Sequence, residues 1–269
     1  MFAHCYAALS LWLLGAPEQA LAQMHEARTL IQGLSHPYSL AVVLQQVTRL
    51  HQWRRDVPAT LTWAEAMMAL SAEHEFGQYV SHAKLLHGWA LVAQGQGDEG
   101  LDQMRQNLTA YEATGAATWR PHYFALLAEG YGQVGAADEG LRVLAEVLVA
   151  VQHTGERVWE AELHRLKGAL VLQARHQPPA PAGSMLHATG RTPQTAEAEA
   201  CFHQALAVAR RQKAKSLELR AATSLARLWQ QQGKRAEARE LLAPIYGWFT
   251  EGFDTADLQE AKALLDALE

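Results

Sequence analysis

A repeat with a period of 40 residues is the feature that most constrains how this chain of 269 residues can fold. Gly15, Gly95 and Gly135 are spaced by multiples of 40, and Trp119 and Trp159 lie 40 residues apart. A period of this length is typical of stacked supersecondary units, each of which buries its apolar face against its neighbours. The sequence therefore predicts a repeat protein and not a single globular core.

Each unit is predicted to be a pair of helices, because apolar residues recur at helical spacing and no strand-like alternation is sustained. Pro17 and Pro58 stand at the first turn of a second helix, where a missing N–H costs nothing. The sequence predicts six hairpins and a capping helix at about 255–268, so the fold class is all-α, a right-handed α-solenoid. The predicted hairpin helices span 2–14, 17–32, 38–54, 58–73, 78–94, 98–114, 119–134, 138–153, 157–174, 195–212, 215–232 and 235–249.

One segment interrupts the period. The small residue that should follow Gly140 at position 180 returns only at Ala198. The residues at 174–194 are rich in Pro, Gly and small polar types and lack helical periodicity. We predict a flexible insertion inside the fifth hairpin of a single domain that covers residues 1–269.

Composition narrows the class of protein. The net charge is −5 with both signs interspersed, which gives no reason to expect nucleic acid as a partner. No apolar run approaches the roughly 20 residues of a membrane span. No membrane association is therefore predicted. Cys5 and Cys201 are the only two cysteines, too few for a disulfide framework, and this predicts a cytoplasmic location. Because Phe2 already belongs to a helix, we expect further repeats upstream or a partner that covers this end.

Motifs for catalysis are missing from the sequence. There is no G-x-x-x-x-G-K-[ST] phosphate loop, no H-E-x-x-H zinc motif and no G-x-S-x-G nucleophile elbow. The close Cys/His neighbours, His4 with Cys5 and Cys201 with His203, point apart on a helix and cannot converge on one ion. We predict no catalytic residues, no cofactor, no metal and no enzymatic activity; an enzyme with a site dispersed between repeats is the remaining alternative.

A basic run at the end of one predicted helix allows two interpretations. It could be a nucleic-acid patch, but Glu218 interrupts it, and cations are favourable at a helix C-terminus in any protein. We interpret it as a solvated helix end. The run comprises Arg210, Arg211, Lys213, Lys215 and Arg220.

The concave face of the solenoid, lined by the first helix of each hairpin, is the predicted binding surface. Trp and Arg tend to dominate binding energetics, although a Trp stripe at helical spacing is also typical of a core. The predicted binding residues are Trp12, Gln45, Arg49, Trp53, His82, Trp89, His122, Glu129, Arg165 and Arg227, within a wider lining that adds Leu9, Gln52, Leu85, Gln133, Arg220, Thr223 and Gln230. Tyr79, Trp119 and Trp159 are assigned to packing between repeats.

The repeat resembles the tetratricopeptide repeat. The resemblance rests on Ala198, Phe202 and Ala205 in the fifth unit, followed by Ala226, Trp229, Gly233 and Ala238 in the sixth. Two departures stand out in the second unit, where Thr60 replaces a small residue and Arg55 replaces the turn glycine. The period of 40 also exceeds the usual 34 residues.

A narrower resemblance covers the whole chain and is most specific after about residue 119. Segments such as WRPHYFALLAEGYGQVG and the ending ELLAPIYGWFTEGFDTADLQEAKALLDALE look like the C-terminal repeat region of bacterial signalling ATPases joined to class III adenylate/guanylate cyclase domains. The resemblance implies a non-catalytic sensory or scaffolding tail that binds a protein, a peptide or a small ligand. The upstream ATPase or cyclase domains, or further repeats, are possible partners. The alternative is a structural or oligomerising arm without a ligand of its own.

Overall fold

Helical hairpins follow one another throughout the computed structural model, which describes residues 1–32, 36–116, 118–174 and 192–269. Thirteen α-helices and no strand occur in these ranges. They are α1 Phe2–Leu13, α2 Pro17–Gln32, α3 Pro37–Trp53, α4 Val57–Glu73, α5 Gly77–Ala93, α6 Gly97–Ala113, α7 Arg120–Gln133, α8 Ala137–Thr154, α9 Glu160–Gln173, α10 Pro193–Gln212, α11 Lys215–Gln231, α12 Arg235–Tyr246 and α13 Ala256–Ala267. The prediction of an all-α solenoid of six tetratricopeptide-like hairpins with a final capping helix is confirmed.

The turns inside the hairpins explain part of the 40-residue period. Gly15, Gly95, Gly135 and Gly233 all have positive φ, between 78° and 88°. Arg55 occupies the same turn position in the second hairpin and is also left-handed, with φ 59°. A side chain at such a φ is strained, and Arg55 is the only residue other than glycine at this position among the described turns inside hairpins.

The predicted insertion at 174–194 falls almost entirely outside the described residues. Helix α9 ends at Gln173 and α10 begins at Pro193, and residues 175–191 lie outside the described ranges. On both sides of them the hairpin pairing continues, because α9 packs along α10.

The first helices of the hairpins form a closed inner ring. Each packs on the first helix of the next hairpin, from α1 through α3, α5, α7 and α9 to α11, and α11 packs back on α1. Each second helix lies outside this ring against its own partner and the following hairpin. Helix α13 covers α11 and α12 with its buried Leu258, Ala261 and Leu264.

The ring closes through contacts between residues more than 200 positions apart. Ser216 Oγ donates to the carbonyl of Trp12 at 2.6 Å. Glu251 accepts hydrogen bonds from the backbone N–H groups of Glu18 and Gln19 at the start of α2, at 3.0 and 3.1 Å. A Cβ on Gly252 would lie 2.1 Å from Pro17 Cγ, so the two ends touch closely at this glycine. The chain is thus a solenoid whose last hairpin and capping segment return to its first.

Candidate functional site

A polar pocket of about 250 Å³ opens on the inner side of the ring. Every residue that lines it carries a polar side chain, and helices α3, α7, α9, α11 and α13 all contribute. The lining consists of Gln52, Arg55, Glu129, Glu162, Arg165, Arg220, Thr223, Ser224, Arg227, Asp257 and Glu260. Ligand pockets are more often apolar with a few polar groups, so this composition selects for a strongly polar ligand.

The innermost charges of the pocket form a network of ion pairs. Arg165 donates to both oxygens of Glu162, at 2.9 and 2.7 Å. Arg220 Nε donates to Asp257 at 2.8 Å, and Arg220 Nη1 lies 3.7 Å from Glu162. A fully paired network of this kind is rigid and contributes positioned dipoles rather than a large net charge.

The pKa directions agree with this pairing. Burial by itself would raise the pKa of Glu162, but the guanidinium groups of Arg165 and Arg220 outweigh burial and lower it. For Arg165, burial opposes the charged form, yet Glu162 raises its pKa above the usual range. Both groups therefore stay charged at neutral pH.

Arg55, in the strained turn of the second hairpin, lines the pocket and contacts the capping helix. Its Nη1 donates to Glu260 at 2.7 Å and to Asp257 at 3.3 Å, both on α13. Burial opposes its charge, but these two carboxylates raise its pKa overall. The residue that replaces a turn glycine thus joins the second hairpin to the capping helix at the pocket wall.

The outer part of the pocket is less tightly paired. Arg227 is half exposed, and its Nη2 lies 3.8 Å from Glu260. Glu129 Oε2 accepts from Trp89 Nε1 at 2.9 Å. Glu129 and Arg165 also line a neighbouring cavity of about 180 Å³, where Leu166 and Leu170 add apolar surface. Arg227 and Glu129 are the charges best placed to exchange their present contacts for a ligand.

The structure divides the predicted binding residues into two groups. Glu129, Arg165 and Arg227 line the pocket, together with Gln52, Arg220 and Thr223 from the wider predicted lining. The remaining seven are buried, and none is more than 7% exposed. The tryptophans among them therefore belong to the core, which is the second interpretation of a Trp stripe given above. These seven are Trp12, Gln45, Arg49, Trp53, His82, Trp89 and His122.

Four tryptophans fill the closed interior and form what we call the tryptophan cluster: Trp12, Trp53, Trp119 and Trp159. The ring centroid of Trp53 lies 5.1 Å from that of Trp12, 6.0 Å from that of Trp119 and 4.9 Å from that of Trp159. Because these residues come from four different hairpins, the cluster packs the inner ring together. Trp119 and Trp159 therefore pack between repeats, as the sequence predicts.

Buried polar groups surround the tryptophan cluster. The Arg49 guanidinium lies 4.0 Å from the centroid of the Trp119 ring and donates to Tyr123 Oη at 3.4 Å. Trp53 Nε1 donates to His122 Nε2 at 3.2 Å, and His82 Nδ1 contacts Tyr123 Oη. Burial, with the charge of Arg49 second, holds the pKa of both histidines well below the usual range, so both are neutral.

Five pocket residues were absent from the sequence prediction: Arg55, Glu162, Ser224, Asp257 and Glu260. Arg55 carried a signal, because it stands where the repeat pattern requires glycine. Asp257 and Glu260 lie on the capping helix, which the prediction treated only as a cover for the last hairpin.

Two other kinds of site are absent from the described residues. No group of three or more His, Cys, Asp or Glu side chains there could hold a metal ion. Within the same ranges, no helix combines the length and hydropathy needed to cross a bilayer. Arg210, Lys213 and Lys215 of the basic run lie beside a groove outside the ring, described below.

Comparisons with known proteins identify the fold. A Rap protein solved in complex with competence and sporulation factor matches over 98% of this chain and 73% of that one, at 9% identity and a TM-score of 0.65. The apo form of RapI matches over 98% of this chain and 94% of that one, at 7% identity and a TM-score of 0.53. A kinesin light chain with TPR-like repeats from Podosopora anserina matches over 80% and 96%, at 21% identity and a TM-score of 0.47. No protein-family model and no curated protein matches the sequence.

Proposed function

We propose that the chain is a non-catalytic interaction module that binds a polar peptide segment of a protein in the inner pocket. The observation that carries the proposal is the pocket itself, in which four arginines and four carboxylates from five helices and one turn face a common space. A peptide presents N–H donors and carbonyl acceptors in alternation, and a pocket with both signs of charge can satisfy both. A Rap protein, which shares this fold, has been solved in complex with competence and sporulation factor, and this supports a binding role for the chain.

The resemblance to the repeat region of bacterial signalling ATPases and cyclases gives this proposal a context. In that context the module is a regulatory tail whose ligand biases the upstream ATPase or cyclase. We place it in the cytoplasm, which the free and buried Cys5 and Cys201 support, because a reducing compartment keeps such thiols unpaired.

Ligand selection from a random peptide library displayed on phage, followed by calorimetry with the selected synthetic peptides, tests the proposal. We expect Arg227→Ala and Glu129→Gln each to weaken the selected peptides by about tenfold or more. Arg239→Ala is the matched control, since Arg239 is 54% exposed against 50% for Arg227 but lies outside the ring on α12.

Two results contradict the proposal. One is selection of no peptide above background from a folded chain. The other is equal binding by wild type, Arg227→Ala and Glu129→Gln, which would place the peptide outside the pocket.

A further inference from the structure

A groove outside the ring, which we call the Leu14 groove, shares no residue with the polar pocket. It consists of two adjoining hollows of about 460 and 640 Å³ that have Leu14 and Lys213 in common. Its apolar surface comes from Leu14, Val158 and Trp248, which are 47%, 43% and 47% exposed. Three large apolar side chains exposed at one place form the kind of patch that marks an interaction surface.

Cations border the same groove. Arg157 stands beside Val158, and Arg210, Lys213 and Lys215 follow along the α10–α11 turn. Arg210 and Lys215 share one carboxylate, the buried Glu218, at 2.9 and 2.7 Å. Lys213 has no ion pair within the described residues. Positive charge is therefore in excess here, in a chain whose net charge is −5.

The walls of the groove are held in place by distant parts of the chain. Trp248 packs on the left-handed turn at Gly15, where an added Cβ would lie 2.7 Å from its ring. Lys215 Nζ lies 5.5 Å from the centroid of the Trp248 ring. Because the ring closure fixes both sides, a partner binds a preformed surface and little ordering of the chain opposes binding.

The basic run alone has an ordinary explanation, since cations at the end of α10 favour the helix dipole. The dipole does not account for the exposed Leu14, Val158 and Trp248 beside those cations. Nor does phosphate binding account for them, because nucleic-acid contacts of that kind need cations and no aliphatic wall. The combination matches the face of an amphipathic helix with apolar residues one turn apart and acidic flanks.

We propose that the Leu14 groove docks an acidic amphipathic helix of a protein partner, independently of the ligand in the polar pocket. Apolar side chains of that helix lie against Leu14, Val158 and Trp248. Its Asp and Glu side chains pair with Lys213 and with the half-exposed guanidinium groups of Arg157 and Arg210.

The probe is a fluorescein-labelled synthetic helix of about 16 residues with Leu at every third or fourth position and Glu at most others. Fluorescence anisotropy measures its binding to the full chain at about 0.15 M salt. A peptide of the same composition with the leucines scattered round the helix is the sequence control. We expect the amphipathic peptide to bind and the scattered one to bind at least about tenfold more weakly.

Two chain variants localise the binding. Trp248→Ala removes the apolar wall and Lys213→Glu reverses the unpaired charge; each is expected to weaken the amphipathic peptide by about tenfold. The matched controls, Phe253→Ala for an exposed aromatic residue and Lys262→Glu for an exposed lysine on α13, should bind as wild type does. Lys213→Glu keeps the test valid if Trp248→Ala unfolds the chain, which circular dichroism checks. Arg227→Ala should also bind the helix normally, which separates this site from the pocket.

Three outcomes overturn the proposal. One is the absence of binding to wild type, and another is equal binding by the scattered peptide or by Lys213→Glu. In the third, single-stranded DNA or vesicles of phosphatidylcholine and phosphatidylglycerol bind more tightly than the helix and lose binding in the same variants, which would assign the groove to nucleic acid or to a membrane.

Discussion

Two parts of the inner ring face the same interior, but one fills it with buried tryptophans and the other leaves an open polar pocket. In the N-terminal part, helices α1, α3 and α5 place Trp12, Trp53 and Trp89 in the core, each no more than 3% exposed. In the C-terminal part, α9 and α11 place Arg165 and Arg227 in an open pocket. The repeat pattern puts all five residues on the ring-facing side of a first helix. Repeat position thus determines the direction of a side chain, whereas burial depends on where the ring closes.

The first prediction concerns the buried N-terminal part of the ring and has the largest expected effect on stability. Trp53→Ala removes a fully buried ring that contacts three other tryptophans, and we expect it to lower the free energy of unfolding by about 3–5 kcal/mol. Urea denaturation measures the change. Tyr6→Ala, at a residue 55% exposed, should stay within about 0.5 kcal/mol of wild type. A similar loss in both variants would show that the interior is not packed as described.

The second prediction concerns the buried histidines and the pH dependence of stability. His82 and His122 are neutral in the folded chain because their pKa values lie well below 6.5, whereas an unfolded chain protonates them as the pH falls through 6.5. The unfolded state then binds more protons, so stability falls below pH 6.5 by up to about 1.4 kcal/mol per pH unit for each histidine. His51 and His164, whose pKa values burial also lowers, add to the same trend.

Urea denaturation between pH 7 and about pH 5 tests this dependence. His82→Gln should lose stability less steeply with acid than wild type, because one proton uptake is removed. Parallel curves for the two proteins would contradict a neutral His82. Arg55 and Arg165 in the pocket stay charged over this range, because carboxylates beside them raise their pKa values.

The third prediction tests the ring closure between the two parts. Gly252 has φ 77° and touches Pro17, so Gly252→Ala combines backbone strain with a clash. We expect a loss of about 1–3 kcal/mol in thermal or urea denaturation. Gly247→Ala is the control, because Gly247 has φ −67°, and it should change stability by about 0.5 kcal/mol or less. Equal effects would mean that the first and last hairpins are not in close contact.

The fourth prediction has the smallest effect on stability. Arg227→Ala in the open part should alter the free energy of unfolding by less than about 0.5 kcal/mol, because Arg227 is half exposed and its nearest carboxylate is 3.8 Å away. Urea denaturation alongside Trp53→Ala gives the comparison directly. A loss comparable to that of Trp53→Ala would show that the pocket is part of the core.

Much of the fold could be predicted from the sequence, because the 40-residue period and the positions of Pro17 and Pro58 depend only on local structure. The closure of the ring could not, since the curvature of a solenoid results from small rotations between repeats that no single residue reports. This is why Trp53 and Arg165, both predicted on one concave face, lie in different environments. The same closure brings Asp257 and Glu260 to the pocket, and nothing in their local sequence indicates it.

Contact between the first and last hairpins also changes how the chain is expected to fold. In an open array of repeats each unit touches only its neighbours, so unfolding can begin at either end and spread. Here Ser216 is hydrogen-bonded to Trp12 and Glu251 to Glu18, and each hairpin therefore has a neighbouring hairpin on both sides. Such long-range contacts slow folding, because distant segments must meet before they are stabilised. They also hold the first and last described hairpins against each other, so neither can unfold without breaking its contacts with the other.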